Sequence, residues 1–194
     1  AIDVVGGEFN AFTGKEYAGY YVKVASENLK VACDVRADML INSKCDQAEI
    51  EKERGVILEE YNMYQDTPMY QIGWNFENLV FGDQPLGWDQ IGTKELIKSV
   101  NHEDFVKYKG ELYTPENTVI AVAGNVEHKD VVEMIGKYFE MQEATKAYNF
   151  KSVEPLDGGR VFLQEKKTEQ AHIAVGFPGL AEPHKDHWAL KLLA

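Results

Sequence analysis

Residues 46–64 read DQAEIEKERGVILEEYNMY. Wound at roughly 100° per residue, this stretch is an amphipathic helix: Val56, Tyr64, Ile57, Ile50, Tyr61 and Leu58 form a broad apolar arc, with Glu51, Asn62, Gly55, Glu59 and Lys52 opposite. Two carboxylates break the pattern. Glu53 and Glu60 fall inside the arc, between Val56 and Tyr64, and stack nearly two turns apart. The pattern predicts that both face the core. Neither has a Lys or Arg three or four residues away, so the helix itself offers no ion pair. Burying an unpaired carboxylate costs several kcal/mol, so a metal, a histidine or a buried basic group elsewhere in the fold is required to hold them. A single glutamate at the edge of an apolar face is commonplace, whereas two on one stripe call for a partner.

Composition bounds the rest. A chain of 194 residues, 44% hydrophobic and 27% charged, has enough material for one good core or two small ones. The net charge of −12 argues against nucleic acid and against an anionic membrane as partners, and suits a basic ligand. No apolar run reaches bilayer length, and the opening AIDVVGGEFN has neither the basic nor the apolar region of a signal peptide. Cys33 and Cys45 are the two cysteines, with no CxxC spacing. They read as free thiols in a reducing compartment such as the cytoplasm.

Outward from the central helix, EFNAFTGKEYAGYYVKVAS predicts two strands joined by a turn at Thr13-Gly14-Lys15. Ser26 caps a helix to about Leu40 whose core side is Leu29, Ala32, Val35, Met39 and Leu40. Asp46 caps the carboxylate helix. Thr67-Pro68 opens a third helix, and its apolar Met69, Ile72, Trp74, Phe76, Leu79 and Val80 predict deep burial. Thr93 and Asn101 cap the two parts of a broken fourth helix. Thr118–Val126 reads as a continuous apolar strand, followed by an amphipathic helix from about His128 to Met141.

Residues 142–159 are poor in apolar side chains and carry Pro155 and a Gly-Gly pair, so they read as a linker between a first unit, 1–141, and the start of a similar one, 160–194. RVFLQEK and QAHIAVGFPG read as two strands of that second unit, and HKDHWALKLLA as a helix inside which the sequence stops. The expected class is α+β, a mostly antiparallel sheet backed by helices, truncated at both ends.

The sequence contains no GxSxG, no phosphate-binding glycine loop, no CxxC and no HExxH. His184 and His187 are spaced to pinch a metal, yet the intervening Lys185-Asp186 favours a solvated helix start. His172 alternates with apolar neighbours and reads as a core or interface histidine. His102 and His128 lie in first turns and should be exposed.

Four segments in order, GGEFNAFTGKEYAGYYVKV, LINSKCDQAEIEKERGVILEEY, DQPLGWDQIGT and YTPENTVIAVAGNV, resemble landmarks of the pitrilysin/insulinase family of zinc metallopeptidases, nearest the bacterial members and the mitochondrial processing peptidases. The resemblance covers roughly Val5 to Leu193. It implies an inverted H-x-x-E-H motif whose two histidines bind zinc and whose glutamate activates water, with a third ligand from a second helix. By position that ligand is Glu60, and Glu53 is the acid that hydrogen-bonds a ligand histidine. The spacing agrees, since seven residues separate the two Cα atoms by about 10 Å, too far for both carboxylates to reach one zinc. One ligand and one orienting acid is the natural division. The resemblance also makes Glu8, Phe9, Asn10, Ala11 and Phe12 an edge strand that takes up an extended substrate.

H-x-x-E-H occurs nowhere in the sequence, so two zinc ligands and the general base are absent and no catalytic residue is assigned. In the family that motif precedes the segment that opens this chain, and Ala1 therefore reads as an internal start. The expectation is one part of a zinc-dependent peptidase acting on peptides or unfolded polypeptide, inactive by itself and a weak binder of zinc, partnered by the remainder of the same chain or a homologous subunit. The alternative is a non-catalytic peptide-binding or scaffolding subunit of the same family. Retention of both Glu53 and Glu60 favours the first.

Overall fold

Local capping chemistry sets most of the element boundaries. The computed structural model describes residues 1–144, 156, 160–177 and 179–193. Most of the expected linker and Pro178 fall outside them. An antiparallel hairpin, β1 (Glu8–Thr13) and β2 (Ala18–Lys23), opens the chain, with Glu8 opposite Lys23 and Thr13 opposite Ala18. Its turn is closed by the Gly14 N–H donating to the Tyr17 carbonyl at 2.7 Å. Gly19 faces Phe12 across the ladder, and a Cβ there would lie well inside contact distance of the Phe12 ring.

A single 3-10 turn over Ser26–Asn28 leads directly into α1 (Leu29–Ile41). The helix N-cap is Asn28, with no side-chain cap, so the Ser26 expectation holds for where winding starts and not for the cap. Asp46 caps α2 (Gln47–Asp66) as its type and place predict, accepting the Ala48 N–H at 2.8 Å. Thr67-Pro68 begins α3 (Pro68–Phe81), but the Thr67 hydroxyl donates backward to the Met63 carbonyl and caps the end of α2 instead. Thr93 caps α4 (Lys94–Ser99), and Asn101 caps α5 (His102–Leu112) through a capping box with Asp104. Helices α6 (His128–Tyr138) and α7 (His187–Leu193) follow.

The architecture is α+β, as expected, with helices predominating and the antiparallel hairpin as the sheet among the described residues. Helix α1 packs on α6 and β2, and α2 packs on α3 and α4. Among the described residues the buried apolar side chains are Ile2, Ala32, Cys33, Ala37 and Ile97. Helix α1 thus buries its small residues, and Met39, expected in the core, is exposed. No side chain of α3 is buried, contrary to its apolar composition.

Thr118–Val126, 160–166 and 170–179, expected as strands, form no ladder among the described residues. A strand is completed by its neighbour's hydrogen bonds, and these segments have none here: Val119 is 93% exposed and Ile173, Val175 and Phe177 alternate along an open face. His172, expected in the core or at an interface, is exposed with them, which leaves the interface reading. No helix among the described residues is long and apolar enough to cross a membrane.

Candidate functional site

The α2 stripe is built as the sequence implies, but it looks outward. Glu53 and Glu60 are both exposed, as is Val56, so the expectation that they face the core is overturned. The reason is tertiary. Helix α2 packs on α3 and α4 through half-buried side chains such as Ile50, Ile57, Leu58 and Tyr61, and buries none fully, so neither carboxylate is enclosed. The two carboxylates need no counter-ion to sit in water.

Glu60 is nevertheless held. Its Oε1 accepts the Tyr64 hydroxyl at 2.9 Å, one turn along the helix. The Tyr64 ring lies edge-on to Tyr70, with centroids 5.1 Å apart, and tilted against Trp74 at 5.0 Å. Hydrogen bonding to the Glu60 carboxylate, with a smaller contribution from burial, raises the Tyr64 phenol above its ordinary range, so Tyr64 stays a donor at neutral pH. One carboxylate oxygen is thereby oriented and the other is left for a further partner.

The first half of α2 is fixed by an Arg that the sequence reading passed over. Arg54, with a side chain only 14% exposed, donates from Nη1 to the Ile97 carbonyl and from Nη2 to the Val100 carbonyl at 2.6 Å, at the end of α4. A cation is favoured at that negative helix end. Glu51 grips the same guanidinium through both oxygens, at 3.0 and 2.9 Å, and accepts from Gln47 at 2.7 Å. Arg54, then Gln47, hold the Glu51 carboxyl below its usual pKa, while Glu51 raises that of Arg54. Gln47 also accepts the His102 N–H at 2.9 Å, so Gln47, Glu51 and Arg54 bind the α4–α5 elbow to α2. The i,i+3 spacing of Glu51 and Arg54 was the readable signal; that the pair reaches another helix was not.

Strand β1, carrying Glu8, Phe9, Asn10, Ala11 and Phe12, is exposed along its whole length, and among the described residues it pairs on one side only, with β2. Its other edge is open. Glu8 accepts the Tyr21 hydroxyl at 3.2 Å, and the Asn10 side chain accepts the Ala11 N–H at 2.8 Å. Phe9 lines a cavity of about 190 Å³ with Ile2, Val22, Val35, Arg36 and Met39. Phe12 stands edge-on to Tyr17, with centroids 5.9 Å apart. The expected binding residues and the expected metal ligand thus lie on separate elements.

For zinc, the donor set of this chain is insufficient alone. Among the described residues no group of three or more His, Cys, Asp or Glu side chains is arranged to hold a metal ion. Zinc in peptidase sites takes three protein ligands, and Glu60 offers one. The exposed His102 is engaged elsewhere, its Nδ1 hydrogen-bonding the Cys45 carbonyl at 2.7 Å. His184 accepts the Asp186 N–H through Nδ1 at 3.1 Å, part of an exposed turn before α7.

Comparison with known proteins identifies the family. Residues 1–93 match the family described as insulinase (peptidase family M16), and residues 99–194 match its peptidase M16 inactive domain. An uncharacterized zinc protease of Streptomyces coelicolor is 39% identical over 200 residues, covering 100% of this chain and 44% of that protein. The uncharacterized zinc protease YmxG of Bacillus subtilis is 37% identical over 196 residues, covering 100% of this chain and 47% of its own length. A protease from Helicobacter pylori of known structure superposes with a TM-score of 0.70 at 24% identity, over 79% of this chain and 37% of that one. That likeness speaks for the fold. The chain spans less than half the length of the curated relatives it matches. With adjoining models of one family matched along both halves, and relatives named zinc proteases aligned over its whole length, this chain belongs to the insulinase family of peptidases.

Proposed function

We propose that the chain is one part of a zinc-dependent metallopeptidase that cleaves peptides or unfolded protein segments, with Glu60 as one zinc ligand and Glu53 orienting a ligand histidine. The two histidines and the water-activating glutamate are to come from an H-x-x-E-H segment outside this sequence, or from a homologous subunit. Bound there, zinc would polarise the scissile carbonyl and acidify its water. The residues of this chain do the positioning. Tyr64 holds one oxygen of Glu60, which leaves the other to point at a cation, and the open edge of β1 offers its main-chain N–H and C=O groups to an extended peptide. The net charge of −12 suits basic peptides.

The observation that carries this reading is that Glu60 is exposed, oriented by a phenol and without a cationic partner among the described residues. A ligand waiting for histidines from elsewhere has this form. Free Cys33 and Cys45 support a reducing compartment.

The test uses the full-length protein. Zinc content after dialysis and chelator-sensitive cleavage of a quenched peptide are expected in the parent, and loss of both in Glu60→Gln. Glu53→Gln should weaken zinc retention by about 10- to 100-fold. Zinc content and turnover unchanged in Glu60→Gln would refute the ligand assignment. The second reading, a non-catalytic binding subunit, is favoured by the match of residues 99–194 to the inactive domain of the family. It predicts peptide binding without zinc or cleavage.

A further inference from the structure

The segment DQPLGWDQIG, residues 83–92, holds the tip of the hairpin. Lys15 lies in the β1–β2 turn, and its side chain is only 19% exposed. Its ammonium donates to the Trp88 carbonyl at 2.5 Å and pairs with Glu77 of α3 at 2.8 Å. From the same loop, Gln90 donates to the Thr13 carbonyl, the last residue of β1, at 3.1 Å. Trp88 is fixed in turn by its indole N–H, which donates to Asp83 at 2.9 Å. The loop is tightly folded at Gly87, where a Cβ would collide with the Gly82 carbonyl oxygen.

Among the described residues, further polar ties between the hairpin and the rest of the chain run through β2. The Tyr20 hydroxyl meets that of Tyr113 at 2.5 Å, and Arg36 donates to the Tyr21 carbonyl at 2.7 Å. Strand β1 is exposed along its length and faces a free edge, so its far end is located by Lys15 and Gln90. A two-stranded ribbon is marginal by itself and more strongly twisted than a wider sheet. Whatever fixes the tip therefore fixes the direction of the β1 edge.

We propose that Lys15 is a positioning residue for peptide binding: by tying the hairpin tip to Trp88 and Glu77 it holds the open edge of β1 in the orientation an incoming strand must match. This rests on the reading that β1 receives substrate. Strand addition depends on several main-chain bonds aligned at once, so a preorganised edge raises affinity without touching the chemical step.

Lys15→Met keeps the aliphatic stem and removes the three donors. In the full-length protein, KM for a quenched peptide should rise by about threefold to tenfold, with kcat within about twofold. Amide hydrogen exchange over residues 8–13 and 18–23 should accelerate by a similar factor while that of α1 is unchanged. Lys15→Arg, which restores the charge and donors, should recover both. An unchanged KM beside normal turnover would overturn the proposal, as would unaltered hairpin exchange or equal failure of the Lys15→Arg variant. If the parent cleaves nothing, the peptidase reading fails on that result alone. Peptide affinity and hairpin exchange then judge Lys15: weaker binding with faster exchange supports it, and no change in either overturns it.

Discussion

Thr114 is fully buried, 1% exposed, and its hydroxyl has no hydrogen-bond partner among the described residues. It occupies the position before a 3-10 turn, Pro115–Asn117, where a threonine ordinarily caps, yet it makes no cap bond. Its backbone, φ −118° and ψ 156°, is extended, as the following proline demands and as β-branched residues prefer. Valine has nearly the same shape and no hydroxyl. Thr114→Val therefore removes a desolvated, unpaired polar group without opening a cavity or straining the chain. An unsatisfied buried hydroxyl costs about 1–3 kcal/mol, and part of that is recovered as apolar contact when a methyl takes its place. The expected result is a gain of about 1–2 kcal/mol, read as a rise in the urea midpoint at constant m-value. For a domain of this size that is a rise in Tm of about 2–4 °C per kcal/mol. Thr114→Ser, which keeps the hydroxyl and loses the methyl, should instead destabilise by about 1 kcal/mol. If Thr114→Val proves destabilising and Thr114→Ser neutral, the hydroxyl is bonded in solution and the reasoning is wrong.

Asn101→Ala removes the acceptor of the Glu103 N–H and leaves Asp104 to cap alone; a loss of about 1 kcal/mol in chemical denaturation is expected, with Asn101→Asp restoring most of it. Tyr113 titrates in the alkaline range, and burial, then its bond to Tyr20, raises its phenol above the ordinary value of 10.0. A folded pKa above the unfolded one contributes stability that is complete below the unfolded value and is lost as pH rises through the folded one. Tyr113→Phe should accordingly flatten the fall in stability above about pH 10, and an unchanged alkaline limb would count against the buried pair.

The local grammar of the chain was legible. Asp46, Thr93 and Asn101 cap where their types and spacing place them, Pro68 stands at the first turn of α3, and the break between α4 and α5 is visible as two capping signals in succession. The hairpin follows from its alternation and turn residues. These features depend on a few neighbouring residues, which the sequence supplies in full. The family, too, was readable from four ordered segments, because each is long and specific.

What the sequence by itself determined is therefore the hairpin, the places where the helices begin and the stacking of Glu53 above Glu60 on one stripe of α2. Periodicity says which side chains share a face, but not what that face meets. Only the tertiary structure decided that the stripe points to water, that Arg54 binds the end of α4, that Lys15 reaches across to Trp88 and Glu77, and that Thr118–Val126 pairs with no strand among the described residues. Each of these is a contact, or a missing contact, between residues distant in the chain. An apolar face or a strand edge is satisfied by whatever packs against it, and that neighbour is encoded elsewhere.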